Sequence, residues 1–279
     1  MIKKRLKRFF SINFILYILG RFKTIRFLYK IFNRVKSSKM MIEKSKINYI
    51  EPIIDKNLVL KNVQNEGLYN GLKLKDDILK KILKLSYNSK FVTTYDKKEF
   101  NSIDEINLYN LDNKKPYCLA NLKNIELEIL AQNISKDENL INLAKNYLGS
   151  VNKIDTKIQY SPVCEATDDW REQNEQTITF HYDVHHLNFL YVFFYITDCD
   201  KNSGAHEMIK GSHINKKFFK HLIGSARQNK KSLELDYSKE KFINVEGEAG
   251  HGFIEDTSCF HRARIPINNG RIALQFRYY

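Results

Sequence analysis

Apolar and polar positions follow different periods in the two halves of the chain. From Asp76 onward, Ile78, Leu79, Ile82, Leu83 and Leu85 form a stripe with lysines opposite, which predicts a helix. A second helical stretch begins near Ile125. A third is punctuated at both ends, by the capping-box pattern Ser135-Lys136-Asp137-Glu138 and by Gly149. Between those ends Leu140, Leu143, Ala144 and Tyr147 supply a buried face. Residues 43–70 are mixed and polar around Pro52, and read as a connection plus a short strand at Leu58–Val63. Residues 87–122 read as loops with short elements.

After Gly149 the pattern becomes strand-like. Ile154–Val163, Ala205–Ile209, Phe242–Ala249, Gly250–Asp256 and Arg271–Tyr279 are expected strands, and Thr177–Asp183 alternates. Asn188–Thr197 is a continuous aromatic and β-branched run, which predicts a strand buried on both faces. Asp198–Gly204 is a turn cluster, and Asn215–Ile223 suits a short helix. The expected fold class is α+β. A helical N-terminal half would pack on a C-terminal jelly-roll or barrel. The divisions fall at 1–42, 43–153 and 154–279.

Charge changes the picture only at the N-terminus. The chain of 279 residues carries a formal charge of +14. Residues 1–42 hold twelve Lys and Arg and no acidic residue, so the body is nearly neutral. No comparable basic run exists elsewhere, which argues against a nucleic-acid partner. The apolar run from Phe9 to Gly20 is shorter than the ~20 residues of a spanning helix. Beyond it, Phe22, Ile25, Leu28 and Phe32 recur at helical spacing with cations between them. That pattern fits a basic amphipathic helix on an anionic membrane surface, or a helix packed on its own domain. Cys118, Cys164, Cys199 and Cys259 are widely spaced, without a Cys-x-x-Cys pair, and are expected to be reduced thiols. The expected location is cytoplasmic, with peripheral contact at the inner face of the membrane.

The chemistry centres on Thr179-Phe180-His181-Tyr182-Asp183. On a strand, residues two apart share a face, so His181 and Asp183 stand side by side. His261, after the turn-like Asp256-Thr257-Ser258, is the candidate third ligand. Two imidazoles and one carboxylate form the facial set of non-haem iron(II) oxygenases. Arg271, ten residues on, is placed to pair with a co-substrate carboxylate. His185 and His186 are candidates for a substrate entrance, and Gln159 and Tyr160 for pocket residues. Trp170 lies in an acidic segment that would serve as a lid. His213 is expected to be structural, and Cys259 is not expected to be a ligand.

Several ordered segments resemble the phytanoyl-CoA dioxygenase family of iron(II)/2-oxoglutarate oxygenases. They are Phe180-His181-Tyr182-Asp183, Phe193–Asp198 followed by Ser203-Gly204, Gly211-Ser212-His213, Gly252–Thr257 leading to His261-Arg262, and Arg271. The resemblance covers residues 154–279 well and the first half loosely. It implies a double-stranded β-helix with Fe(II) on His181, Asp183 and His261, and 2-oxoglutarate anchored by Arg271. It also implies oxidation of a small-molecule, lipid or glycan-related substrate by O2, with release of succinate and CO2. Tyr191 stands where family members often carry a co-substrate lysine, and Ala263 where a hydroxyl residue is common. Asp183 fills the carboxylate position that a halogenase leaves open. The alternatives are a cupin-like metalloprotein that does not use 2-oxoglutarate and a non-catalytic membrane-associated binding protein.

Overall fold

The computed structural model describes residues 12–36, 42–184, 187–223 and 227–279. The first helices are α1 (Ile12–Leu19), α2 (Lys23–Lys36) and α3 (Lys56–Glu66). Next come β1 (Leu68–Lys73), α4 (Asp76–Tyr87), β2 (Lys90–Thr93), β3 (Glu99–Phe100), α5 (Ile103–Asp112) and β4 (Ala120–Lys123). Helices α6 (Ile125–Ser135) and α7 (Glu138–Leu148) precede β5 (Ile154–Ser161), α8 (Asp168–Gln173), β6 (Leu190–Tyr195) and β7 (His206–Ile209). The chain then forms α9 (Phe218–Ile223), α10 (Lys230–Glu234), β8 (Phe242–Val245), β9 (His251–Glu255), β10 (His261–Ala263) and β11 (Arg271–Tyr278). No described helix is long and apolar enough to cross a membrane.

Two antiparallel sheets result. The larger runs β1-β9-β6-β11-β5-β4-β2-β3, and the smaller runs β10-β7-β8. Strands from before residue 153 therefore share a sheet with strands from after it. The period of two on β11 sorts its side chains. Ile272, Leu274, Phe276 and Tyr278 are fully buried, whereas Arg271, Ala273, Gln275 and Arg277 face the other way and are partly exposed. The buried row joins Leu190, Val192 and Phe194 of β6 and the apolar faces of α6 and α7 in the largest core cluster. Burying one such aromatic or aliphatic side chain contributes about 1.5–3 kcal/mol. The opposite face of β6 carries Tyr191, Phe193 and Tyr195, which belong to the smaller clusters. The expected two-sided burial of this run follows from having packing partners on both faces.

Three local expectations are corrected. Leu58–Val63 lies within helix α3. Asp55 caps that helix by accepting from the backbone N–H groups of Asn57 and Leu58, and Val59 and Val63 share its buried face at a spacing of four. Gly67 ends the helix at φ 74°, where a Cβ would lie 2.2 Å from Cys259 Sγ, so only glycine fits. The N-cap of α7 is Asp137, which accepts from Asn139 N, while Ser135 completes α6. Trp170 belongs to the short helix α8. Its Nε1 donates to the Pro116 carbonyl at 2.7 Å, and its ring lies 4.8 Å from that of Tyr95, so the segment is fastened down.

The basic segment also folds onto the body. Arg26 of α2 donates to both oxygens of Asp256, at 3.1 and 2.8 Å, and to Ser258 Oγ at 2.8 Å. Its guanidinium lies 4.5 Å from the Phe189 ring centroid, and Tyr147 donates its hydroxyl to Asp256 Oδ2 at 2.5 Å. Burial pushes the Asp256 carboxyl upward, but the adjacent Arg26 outweighs it and holds the group well below the usual carboxylate range. The opposite face of α2 leaves Phe27 and Phe32 at 59% and 72% exposure. Packing on the domain and an exposed apolar face thus coexist on one helix. The basic cluster from Lys3 to Arg8 lies outside the described residues.

Arg26→Ala should destabilise the chain by about 3–5 kcal/mol, because it leaves a buried carboxylate without its cation. Urea unfolding at neutral pH measures this as a lower midpoint. The contribution is present above the unfolded carboxylate pKa of about 3.9, and disappears as pH falls through the depressed folded value. The gap between wild type and variant should therefore shrink in strong acid.

Candidate metal centre

Residues 177–183 do not form a continuous strand, contrary to their alternation, yet they run extended beside β10. His181 and His261 exchange both backbone hydrogen bonds, at 3.0 and 2.8 Å, and Ala263 N donates to the Thr177 carbonyl at 2.9 Å. Asp183 N donates to the Thr257 carbonyl at 2.8 Å, which ties the second ligand position to the turn before the third. The ladder stops there because the chain leaves β10 to meet that turn. Backbone pairing alone thus brings together residues separated by 80 positions in sequence.

The side chains converge accordingly. His181 Nε2 lies 3.8 Å from Asp183 Oδ1, and His261 Nε2 lies 3.7 Å from Asp183 Oδ2. One donor atom from each of the three residues lies within 4.8 Å of the others. Bonds of about 2.1 Å to an octahedral ion put neighbouring donors about 3 Å apart, so a small contraction closes the set. Each imidazole is also oriented from behind. His181 Nδ1 lies 3.0 Å from the Thr179 carbonyl, and His261 Nδ1 lies 3.0 Å from the Cys259 carbonyl. An Nδ1–H donated to a carbonyl leaves the Nε2 lone pair facing Asp183, as a metal requires. The Asp183 side chain remains 32% exposed while that of His261 is 7% exposed, so the set opens on the aspartate side.

Electrostatics separate the two imidazoles. Burial, aided by His261, pushes His181 down to about 4. For His261 burial acts in the same direction, but the Glu255 and Asp183 carboxylates prevail and raise it to about 9. A metal must therefore displace a proton from His261.

Around the triad the structure distributes the other candidates unevenly. Tyr191 stands close enough to Asp183 for that carboxylate to raise its phenol, although burial is the larger cause. Arg277, which the sequence reading did not single out, has its guanidinium 4.8 Å from the Tyr191 ring. Its signal was the period of two, since it shares a face with Arg271. Arg271 lies at the other end of β11. It donates to the Gly204 carbonyl, its guanidinium lies 5.7 Å from the Tyr195 ring centroid, and its buried Nε has no partner. Asn121, Gln159, Ala273 and Tyr195 stand in register across β4, β5, β11 and β6. The buried Asn121 Oδ1 and Gln159 Nε2 atoms also lack partners. Ala273, between Gln159 and Tyr195 in that row, adds little bulk beside them. Tyr160 points to the opposite face, and its hydroxyl donates to Asn107.

Two further groups were not anticipated. Glu255 is fully buried, with Oε2 2.7 Å from His206 Nε2 and Oε1 3.5 Å from His261 Nδ1. Glu255 sits inside the Gly252–Thr257 segment without having been singled out, and His206 falls in no quoted motif. They lie on β9 and β7, in different sheets, so only the packing of one sheet against the other brings them together. His213 contacts the Gln64 carbonyl at 3.0 Å and Cys259 Sγ at 3.3 Å, so it joins α3 to the turn before His261. His185 and His186 lie outside the described residues.

No family model matches the chain, and no curated protein is similar in sequence. Solved structures do match. The non-heme alpha ketoglutarate dependent epimerase SnoN from nogalamycin biosynthesis aligns with a TM-score of 0.54 at 12% identity, over 80% of this chain and 82% of SnoN. HygX from Streptomyces hygroscopicus, solved with nickel, 2-oxoglutarate and hygromycin B, aligns with a TM-score of 0.50 at 10% identity, over 80% and 86%. SnoN in complex with Fe3+, alpha ketoglutarate and nogalamycin RO gives 0.51 at 11% identity, over 80% and 82%. At these identities the likeness concerns the fold. The finer resemblance to the phytanoyl-CoA dioxygenase family rests on the quoted motifs alone.

His181→Ala should abolish stoichiometric binding of a divalent first-row metal, measured by calorimetry under anaerobic conditions. In the wild type, affinity should rise about tenfold per pH unit below about 9, because binding releases the His261 proton. A pH-independent affinity between pH 6.5 and 8 would contradict this protonation state.

Proposed function

We propose that the chain is an iron(II)- and 2-oxoglutarate-dependent oxygenase on a double-stranded β-helix, of the phytanoyl-CoA dioxygenase type, acting on a small molecule. The observation that carries this reading is the convergence of His181, Asp183 and His261, with both Nε2 atoms turned toward the carboxylate. Its support from comparison is the shared fold with SnoN and HygX, whose structures were solved with alpha ketoglutarate or 2-oxoglutarate. When bound, the iron and its 2-oxo acid supply the oxidising chemistry, with O2 consumed and succinate and CO2 released.

The protein's part is to hold and orient. His181 would offer a neutral nitrogen, His261 one once its proton is displaced, and Asp183 an anionic oxygen, a set that suits iron. Arg271 holds the far carboxylate of the co-substrate. Its unpartnered Nε and the unpartnered amide atoms of Gln159 and Asn121 are buried polar atoms that a ligand would satisfy. Each such buried atom otherwise costs about 1–3 kcal/mol. Tyr191 lies at the triad end, beside Asp183, and orients the coordinating end of the co-substrate. Its ring also carries the Arg277 guanidinium, so this end of the site keeps a cation near Asp183.

Residues 1–42 would serve the same reaction by holding the protein at the inner face of an anionic membrane. Besides Phe27 and Phe32 of α2, Phe218 and Phe219 of α9 are exposed, and the Phe22 and Phe218 rings are 6.3 Å apart. Lys23, Lys217 and Lys220 belong to the same two segments. Exposed aromatics among lysines suit a surface of anionic headgroups. A lipid or a lipid-linked glycan is the substrate class that this placement favours.

Two experiments test these readings. Anaerobic addition of iron(II) and 2-oxoglutarate should give a weak visible charge-transfer band that His181→Ala lacks. Arg271→Ala should weaken the 2-oxoglutarate dependence of that band by about 10- to 100-fold, the value of a charge-assisted hydrogen bond of about 1.5–3 kcal/mol. Metal binding without the band would favour a cupin-like enzyme that does not use 2-oxoglutarate. Sedimentation with anionic vesicles should fall as salt rises and should be lost on removal of residues 1–42. Unchanged binding after that removal would exclude the membrane role.

A further inference from the structure

Away from the triad, two of the four cysteines meet. Cys118 Sγ and Cys164 Sγ are 3.6 Å apart, although 46 residues separate them. Cys118, just before β4, is fully buried, and Cys164, just after β5, is partly exposed. Cys164 lines a surface cavity of about 910 Å3, together with Lys114, Arg171 and Pro266. Arg171 is only 3% exposed, and it is aimed at this residue. It donates from NH2 to the Cys164 carbonyl at 2.6 Å, and its NH1 lies 3.6 Å from Cys164 Sγ. NH1 also donates to Gln176 Oε1 at 2.8 Å, while the buried Nε has no partner. A buried guanidinium beside a sulfur with access to solvent is the environment that favours a thiolate.

The two sulfurs differ in the sense a relay requires. Hydrogen bonding with Cys118, with help from Arg171 and against burial, lowers Cys164 to about 7. The same hydrogen bond and burial hold Cys118 far above the ordinary thiol range. Cys199 and Cys259 have no such setting. Both are buried and shifted upward by burial, Cys259 to about 12.

We infer that Cys118 and Cys164 form a redox-active pair, with Cys164 as the attacking thiol and Cys118 as the resolving one, oxidised by a small disulfide that enters the cavity. The Cys164 thiolate attacks one sulfur of the small disulfide. That S–S bond breaks, one small thiolate leaves, and a mixed disulfide remains on Cys164. Cys118 then loses its proton to the medium and attacks the Cys164 sulfur, which expels the second small thiolate. Two electrons pass from the protein thiols to the small disulfide, and two small thiols are released. The sulfurs must close from 3.6 Å to the bond length of about 2.05 Å. The new bond joins the entry of β4 to the exit of β5, adjacent strands of the large sheet. It also removes the thiolate that faces Arg171, whose partner Gln176 leads directly into the Thr177–Asp183 segment.

The test is incubation of the full-length chain in mixtures of oxidised and reduced glutathione, followed by peptide mass mapping without reduction. The wild type should give one internal link, Cys118 to Cys164, with Cys199 and Cys259 unmodified. Cys164 should react about tenfold or more faster than either of those two. Its rate should rise with pH through about 7 rather than near the ordinary thiol value of about 8.5. Cys118→Ser should stop the reaction at a glutathione adduct on Cys164, and Cys164→Ser should leave Cys118 unreacted. A lasting adduct on wild-type Cys164 without the link would overturn the inference. So would reaction of all four cysteines at one rate, or no reaction at Cys164.

Discussion

The site depends on one short antiparallel contact, the reciprocal hydrogen bonds between His181 and His261. A period of two puts His181 and Asp183 on one face, but it supplies no third ligand. The bridge does so by fixing the two histidine backbones opposite each other, with imidazole centroids 4.4 Å apart. The two Nδ1 contacts to backbone carbonyls then set the rotation of each ring. Because every one of these constraints ends on the main chain, the geometry of the centre follows from strand pairing rather than from packing between side chains. Side chains on paired strands hold their separation better than side chains on loops.

The turn at Asp256–Ser258 extends that constraint outward. Asp256 Oδ1 accepts from Ser258 N at 3.0 Å and from Ser258 Oγ at 2.6 Å, which closes the turn locally. The same turn receives Arg26 from α2, the Tyr147 hydroxyl from α7 and the Asp183 amide from the ligand segment. It also abuts Gly67, whose carbonyl accepts from Asp256 N at 2.9 Å. A basic N-terminal helix, two scaffold helices and both segments of the triad thus meet at one turn, built around a buried carboxylate. Such a pair is weak evidence of net stabilisation, because desolvating two charges offsets much of their attraction. Its effect here is to specify position: α2 has one seat on the body, and the turn before His261 has one shape.

The division between the legible and the hidden follows interaction range. The strands β5, β6, β7, β8, β9 and β11 were visible because alternation and the aromatic run at 188–197 are local signals that the sheet reinforces, whereas the three-residue β10 was not. The ligand motif was visible because two of its three members lie on one extended segment. Leu58–Val63 was misread because a few apolar residues suit either a strand or one face of a helix. The cap at Asp55 and the stop at Gly67, just outside that window, decided for the helix. The Arg26–Asp256 contact, the Glu255–His206 contact and the Cys118–Cys164 pair had no local signal, since each joins residues far apart in sequence.

By itself the sequence determined the mixed helix and sheet character, the His-x-Asp pair, the basic character of residues 1–42 and the absence of a Cys-x-x-Cys pair. These depend on periodicity and composition, which neighbouring residues express without help. Tertiary structure alone decided that His261 stands beside His181 and Asp183, and that Arg26 turns inward to Asp256. It also decided that the two arginines of one β11 face serve different ends of it. Those outcomes depend on which strands pair and in what register. Register is set by the fit of whole faces, with Ile272, Leu274, Phe276 and Tyr278 buried together on one side and the polar row left on the other.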